Sequence, residues 1–158
     1  MRNVFYYDTP VGKIGIADNG EFVTGLFFGD SRCPTGAQEK ETPLIKKTER
    51  QLREYFEGAR TGFDVPVALQ GTEFQTAVWK ALMDIPYGQT RTYGQIAAAI
   101  GRPKASRAVG MANNRNPVSI IVPCHRVIGA SGKLVGYGGG LGVKEQLLAL
   151  ERKAGKKQ

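Results

Sequence analysis

Apolar and polar positions alternate over the first 28 residues in short runs that are separated by turn signals. Residues 4–7, 13–17 and 22–28 are rich in β-branched and aromatic side chains, which favour strands. Residues 8–12 and 18–20, which lie between these runs, contain the Asp, Asn, Pro and Gly of tight turns. The pattern predicts a three-stranded antiparallel sheet.

A helical pattern follows this predicted sheet. Residues 29–42 read as a polar loop that carries Cys33, and between residues 43 and 58 apolar positions recur at helical spacing among charges. Residues 63–67 read as extended. We therefore expect an N-terminal α/β domain over residues 1–70, built of an antiparallel sheet plus a helix.

The remaining residues, 71–158, predict a mostly α-helical C-terminal domain. Two of its predicted helices are short and are joined by a glycine-containing turn, which is typical of a helix-turn-helix, although a plain helical hairpin fits the same pattern. The predicted helices run from a Thr72 cap to about residue 85, then over residues 92–100, 105–112 and 143–152.

The second short helix has the side chains expected of a surface that approaches DNA. Ala105, Ser106 and Ala108 are small, and Arg107 projects near the start of the helix. Small side chains allow close approach, and the positive N-terminal end of a helix favours phosphate. The preceding turn adds two further basic residues, Arg102 and Lys104.

The net charge of +8 is concentrated in the second domain. Residues 1–70 hold nine Lys and Arg against ten Asp and Glu, whereas residues 71–158 hold thirteen against four. An excess of this kind indicates a polyanionic partner, although a basic surface that is only solvated gives the same count.

The most informative stretch runs from residue 120 to residue 127. Ile120, Ile121 and Val122 predict a short buried strand, and Pro123 ends it just before Cys124. The pKa of a free thiol is about 8.5, and nearby cations such as His125 and Arg126 are expected to lower it and produce a nucleophilic thiolate. Cys124 alone fits equally well an inert packing role.

Taken together, these segments resemble the O6-alkylguanine-DNA alkyltransferases, also called methylated-DNA–protein-cysteine methyltransferases. The resemblance covers about residues 72–151, and the cysteine motif is its most specific part. It is carried by Pro123-Cys124-His125-Arg126-Val127, Arg107-Ala108-Val109-Gly110, Asn116-Pro117, Tyr93-Gly94-Gln95-Ile96-Ala97, Phe74-Gln75, Val78-Trp79, Gly136-Tyr137 and Gly139-Gly140.

The resemblance implies repair of DNA by direct reversal. In that reaction Cys124 accepts the alkyl group from O6 of guanine, or from O4 of thymine, in one irreversible transfer that consumes the protein. His125 matches the base that takes the thiol proton through a water, and Glu151 matches the acid that orients this histidine. Tyr93 matches the tyrosine that assists base flipping and protonates the leaving guanine. No cofactor and no metal site is implied.

Further positions are carried over in the same way. The damaged base lies inside a duplex and must be flipped out. Arg107 matches the arginine that fills the place vacated by the base. The resemblance also implies that the second short helix lies in the minor groove of double-stranded DNA. Asn116 matches a structural asparagine that holds the two halves of the C-terminal domain together. The substrate pocket is expected to be formed by Tyr137, Gly138, Gly139, Ser119 and Val127.

We expect a monomer in the cytoplasm, or in the nucleus if eukaryotic, without a membrane segment, and we leave cooperative binding along DNA open. Three other classes of protein remain to be separated. A non-catalytic alkyltransferase-like lesion binder would lack a cysteine at position 124. A thiol hydrolase would require an oxyanion hole, and a helix-turn-helix regulator is expected to dimerise.

Overall fold

The computed structural model describes residues 2–30, 32–134, 137 and 139–155, and the chain divides into two compact units. The first unit covers Met1–Leu69 and the second covers Gln70–Gln158. Among the described residues, no helix is both long and apolar enough to cross a membrane.

The first unit is a four-stranded mixed sheet with one helix. The strands follow the spatial order β3-β2-β1-β4, in which β1, β2 and β3 are antiparallel and β4 runs parallel to β1. The antiparallel meander and its helix confirm the predicted fold class for this unit. The elements are β1 (Asn3–Thr9), β2 (Gly12–Asp18), β3 (Val23–Phe28), β4 (Gln38–Glu39) and α1 (Pro43–Phe56).

Helix α1 begins at a position that its sequence specifies. The side chain of Thr42 accepts a hydrogen bond from the amide of Ile45, and Pro43 occupies the first turn, where its missing N–H costs nothing. The helix packs on β2 and β1, and its own side chains Leu52 and Tyr55 are fully buried. Its burial against the sheet forms the core of this unit.

The second unit is mostly helical, as predicted. Helix α2 packs against both α3 and α4, and two short parallel strands pair beside them. Thr72 and Thr92 each form a capping box with the glutamine three residues later, which fixes the starts of α2 and α3. The elements are α2 (Glu73–Met83), β5 (Arg91–Thr92), α3 (Tyr93–Ala99), α4 (Ser106–Asn114), β6 (Val127–Ile128) and α5 (Leu141–Gly155).

The prediction of a strand before the cysteine is wrong. Residues 120–122 are buried, but Ile120 and Ile121 lie in a turn and Val122 forms an isolated bridge with Ser119. Ile120 has a φ of 71°. A β-branched residue rarely adopts this left-handed conformation, so the surrounding contacts must hold it there. The turn leads through Pro123 into a single 3₁₀ turn, Cys124–Arg126.

Candidate active site

The thiol-bearing segment is attached directly to the end of α4. The side-chain amide of Asn113 donates to the carbonyl oxygen of Cys124 at 3.2 Å, and that of Asn116 donates to the carbonyl oxygen of Val122 at 2.8 Å. Asn116 also accepts a hydrogen bond from the amide of Val118 at 3.0 Å. These bonds place Asn116 in the turn that supports Cys124.

Cys124 lies in a nearly closed environment, with 3% of its surface exposed. Burial raises the pKa of the thiol, while hydrogen bonds from Asn116 and Ser119 and the positive charge of Lys144 act in the opposite direction. The expectation that His125 and Arg126 would lower this pKa is therefore wrong. Desolvation outweighs the groups that favour the thiolate, and the cation among those groups is Lys144.

His125 and Glu151 form a buried hydrogen-bonded pair. Nε2 of His125 lies 2.6 Å from Oε2 of Glu151, and both side chains are almost completely buried. Arg126 completes the cluster: its Nε donates to Oε1 of Glu151 at 2.8 Å and a terminal nitrogen donates to Oε2 at 3.1 Å. The carboxylate of Glu151 therefore receives bonds from two side chains, of which one is a permanent cation.

The protonation state of this cluster follows from its charges. Burial pushes the pKa of Glu151 upward, but the hydrogen bonds from His125 and Arg126 outweigh it and hold that pKa at about 2. Burial lowers the pKa of His125. An ionised carboxylate only accepts, so Nε2 of a neutral imidazole must carry the proton and Nδ1 has a lone pair. No described residue forms a hydrogen bond with Nδ1, so the imidazole can act as a base there.

Lys144 and Tyr93 lie near each other, and the charge of Cys124 acts on both. Lys144 is completely buried, and its Nζ lies 6.0 Å from the centre of the Tyr93 ring. Burial lowers the pKa of Lys144 to about 8, while the charge of Cys124 acts to raise it. Burial also raises the pKa of Tyr93, and the charge of Cys124 adds to that rise. The phenol is thus a neutral proton donor next to the thiol at neutral pH.

A groove with a volume of about 550 Å³ runs along α3 and α4. Tyr93 and Arg107 both line it, and Arg107 is exposed. Met111, which is 65% exposed, lies at its edge and also borders a smaller cavity between α2 and α4. The groove is lined by Thr92, Tyr93, Gly94, Ser106, Arg107, Gly110, Met111, Asn114 and Ala130.

The other predicted DNA-contacting residues surround the start of α4. Ala105 and Ser106 are half-buried, whereas Ala108, Arg102 and Lys104 are exposed. The guanidinium of Arg102 lies 5.9 Å from the centre of the Phe74 ring. The start of α4 therefore presents small and basic side chains together.

The residues predicted to form the substrate pocket do not border this groove. Within the described part of the chain, Ser119 and Val127 are buried and Tyr137 and Gly139 are partly buried, but none of them, nor Cys124, lines the groove. Gly138 lies outside the described residues, as does Gly136 of the resemblance motif. Tyr93 is the predicted site residue common to the groove and the surroundings of the thiol.

Two buried polar side chains of the site, Asn113 and Lys144, have no role assigned in the sequence analysis, and the ion pair that Arg126 forms is not predicted there. A signal for two of these was present. Lys144 and Glu151 occur at helical spacing with the buried Leu147 and Leu148, which places both charges on the apolar face of α5. Asn113 likewise shares the buried face of α4 with Val109.

Within the described part of the chain, no group of three or more His, Cys, Asp or Glu side chains is placed to hold a metal ion.

Two family profiles match the sequence in the same order as the two units. Residues 4–69 match the ribonuclease-like domain of 6-O-methylguanine DNA methyltransferase, and residues 73–153 match its DNA binding domain. Each profile covers almost one whole unit. The chain belongs to the 6-O-methylguanine DNA methyltransferase family, as the cysteine motif predicted.

Similar proteins extend over nearly the whole chain. A methylated-DNA–protein-cysteine methyltransferase of Methanosarcina acetivorans is 53% identical over 149 residues, covering 92% of this chain and 95% of the relative. One from Mycolicibacterium paratuberculosis is 52% identical over 92% of this chain and 90% of the relative. A crystal structure of Mycobacterium tuberculosis OGT in complex with DNA has a TM-score of 0.91 and 48% identity, with 96% of this chain and 94% of that chain covered.

Proposed function

We propose that this protein repairs alkylated DNA by direct reversal, as a methylated-DNA–protein-cysteine methyltransferase that carries out one irreversible transfer. The alkyl group moves from O6 of guanine to Sγ of Cys124. The observation that carries this proposal is the buried His125–Glu151 hydrogen bond of 2.6 Å next to the only buried cysteine among the described residues. Family membership and the relatives' names support the same reaction.

The first step is activation of the thiol. Its S–H bond breaks, and the proton passes through a bridging water to Nδ1 of His125, because adjacent side chains in a chain rarely bond directly. Glu151 fixes the ring through Nε2 and stabilises the imidazolium that forms. Burial opposes ionisation of the thiol, so the hydrogen bonds from Asn116 and Ser119, the charge of Lys144 and this base act together to favour the thiolate.

The second step is displacement at the alkyl carbon. The thiolate attacks in line, the new S–C bond forms as the C–O6 bond breaks, and the electron pair stays on the purine. Tyr93, whose pKa is raised by burial, remains protonated and can give its phenolic proton to the leaving guanine. The products are intact guanine and an S-alkylated cysteine that the reaction does not regenerate.

The substrate is double-stranded DNA from which the damaged base has been flipped. The groove along α3 and α4 combines a half-buried tyrosine with the exposed Arg107, which suits an arginine that enters the base stack. In this proposal α3 and α4 act as a helix-turn-helix whose small residues, Ala105, Ser106 and Ala108, let α4 enter the minor groove. Contacts in that groove depend little on sequence, which suits a repair protein.

The second unit contributes further to DNA binding through its net charge. Arg102 and Lys104 are exposed beside α4, where they can contact phosphates. Ser119, Val127, Tyr137, Gly138 and Gly139 would surround the flipped base, with Asn116 holding the turn that supports the thiol. We propose that O4-alkylthymine is also a substrate and that the protein acts as a cytoplasmic monomer.

The stoichiometry of transfer tests this proposal. The protein is titrated with a duplex oligonucleotide carrying one O6-methylguanine, and the repaired DNA is counted against protein. We expect one repaired base per chain with no further turnover, and no transfer by Cys124→Ser, which should still bind the duplex. Continued turnover would identify a hydrolase, and binding without repair would identify a lesion-binding protein.

A further inference from the structure

Arg126 is a buried cation that the proposed reaction does not use. Its exposed fraction is 7%, and the structure gives each part of its guanidinium a contact. Two nitrogens donate to the two oxygens of Glu151, at 2.8 and 3.1 Å, and the third donates to the carbonyl oxygen of Ile85 at 2.7 Å. The same group lies 5.6 Å from the centre of the Tyr87 ring. These three hydrogen bonds fix the orientation of the guanidinium relative to the His125–Glu151 pair.

The charges around the imidazole come from three elements. Glu151 and Lys144 face it from α5, Arg126 faces it from its own 3₁₀ turn, and the phenol of Tyr87 lies by Arg126 and Glu151. One negative charge therefore meets two positive ones. Without Arg126, the buried carboxylate of Glu151 would keep the His125 imidazole at 2.6 Å and the Gly88 amide at 3.4 Å but would lose its guanidinium partner. A buried carboxylate next to an imidazole favours the protonated form of that imidazole.

We infer that Arg126 is a positioning residue for the transfer reaction: by balancing the charge of Glu151, it keeps His125 a neutral imidazole whose Nδ1 can accept the thiol proton. This inference rests on the proposed function, in which His125 is the base. A histidine that already carried two protons could not take one from Cys124. The directions of the charge effects agree, because Glu151 raises the pKa of His125 whereas Arg126 and Lys144 lower it.

Nuclear magnetic resonance of the imidazole tests the inference without any DNA. His125 is the only histidine in the chain, so its ring signals need no assignment among several. In the unmodified protein at about pH 7 we expect the neutral tautomer with the proton on Nε2. A doubly protonated ring at that pH, with Arg126 in place, would overturn the inference whether or not the protein repairs DNA.

Two substitutions separate charge from packing. Arg126→Gln removes the cation but keeps a side chain that can donate to Glu151 or to the carbonyl of Ile85, and Arg126→Lys keeps the cation with fewer bonds. We expect the pKa of His125 to rise by about one unit or more in Arg126→Gln and to stay near the original value in Arg126→Lys. An unchanged pKa in Arg126→Gln would overturn the inference.

The rate of methyl transfer as a function of pH provides a second readout. In Arg126→Gln the acidic limb of the profile should move to higher pH, so that transfer on that limb is up to about tenfold slower for each unit by which the pKa rises and recovers as the pH rises. Arg126→Lys should restore the original limb. A merely structural role predicts the same loss at every pH, which would count against the inference. If Arg126→Gln does not fold, the tautomer in the unmodified protein and the profile of Arg126→Lys still decide it.

If the proposed function is wrong, no variant transfers methyl groups, but the imidazole titration still answers the question about Arg126. The two failures are therefore distinguishable.

Discussion

The side-chain amide of Asn113 donates a hydrogen bond of 3.2 Å to the carbonyl oxygen of Cys124. Asn113 is in the last turn of α4, the helix that carries Arg107 at its start, so one short helix links the groove residue to the thiol segment. Trp79 holds the same end of α4 from α2, because its Nε1 donates to the carbonyl oxygen of Ala112 at 2.9 Å. We expect the position of the thiol to depend on α4.

Removing the Asn113 amide should therefore affect both stability and transfer. Asn113→Ala leaves the buried carbonyl of Cys124 without this donor, and we expect the free energy of unfolding to fall by about 1–3 kcal/mol. The rate of methyl transfer should fall as well, because the thiol segment loses a support. Chemical denaturation and single-turnover kinetics measure the two effects. Gln146→Ala, which removes an exposed side-chain amide from α5, is the control and should change stability by less than about 0.5 kcal/mol.

Lys144 should improve the reaction at the expense of stability. Burial lowers its pKa from 10.5 to about 8, so between these values the unfolded chain binds more protons than the folded one. Stability should accordingly rise with pH over that interval, and below about pH 8 the buried charge destabilises the fold. Lys144→Met should be more stable than the unmodified protein by about 1–3 kcal/mol at pH 7.

The same substitution should slow methyl transfer, because the cation that favours the Cys124 thiolate is lost and the thiol pKa rises further. Thermal unfolding and the pH dependence of alkylation of Cys124 measure these effects. Lys153→Met, at an exposed position of the same helix, should change neither. A variant at position 144 that is less stable and equally reactive would contradict this role of Lys144.

Glu151 should make stability depend on acid pH. Its pKa is held at about 2, against 4.5 ordinarily, so the stabilisation is complete above about pH 5 and is lost as the pH falls toward about 2. This difference between the two pKa values corresponds to a stabilisation of the folded state by about 3 kcal/mol. Glu151→Gln should unfold more easily at pH 7 by about 3–5 kcal/mol, because Arg126 keeps its charge in a buried site.

Denaturation at several pH values measures this effect. The difference between Glu151→Gln and the unmodified protein should shrink as the pH falls, whereas Glu145→Gln, exposed on the same helix, should follow the unmodified protein throughout. A constant difference from pH 7 to pH 2 would show that Glu151 does not titrate as described.

Arg107 should matter for duplex DNA and not for the chemistry. It is exposed on the groove, which neither His125 nor Glu151 lines. Arg107→Ala should therefore slow repair of a duplex by about tenfold or more while reaction with a free alkylated guanine stays near the original rate. Arg152→Ala removes the same charge from α5 and serves as the control. Equal losses on the duplex and on the free base would remove Arg107 from the flipping step.

Local signals in the sequence were sufficient for the main helices. Thr72 and Thr92 begin α2 and α3 because each is followed at the third position by a glutamine that closes a capping box. The cysteine motif identified the family, and the family profiles confirm it. These features depend on residues that are close together in the sequence, so they can be recognised without the fold.

Features that depend on distant parts of the chain were missed or wrong. The run Ile120–Val122 has the composition of a strand, but Asn116 bonds the Val122 carbonyl and holds the segment as a turn. The Arg126–Glu151 pair joins residues 25 positions apart. Lysine is rarely buried, so no role is assigned to Lys144 from the sequence, although its spacing on α5 places it on the apolar face. The predicted direction of the Cys124 pKa is wrong because burial of the thiol, an alternative that its sequence leaves open, raises the pKa.

The chain contains its own internal control for the central claim, because its two cysteines differ in environment: Cys33 is exposed and Cys124 is buried. The decisive measurement is peptide mass spectrometry after incubation with duplex DNA that carries an isotopically labelled O6-methylguanine. The account predicts one labelled methyl group per chain, found on Cys124 and not on Cys33. Label on Cys33, or complete repair of the DNA with Cys124 unmodified, would contradict it.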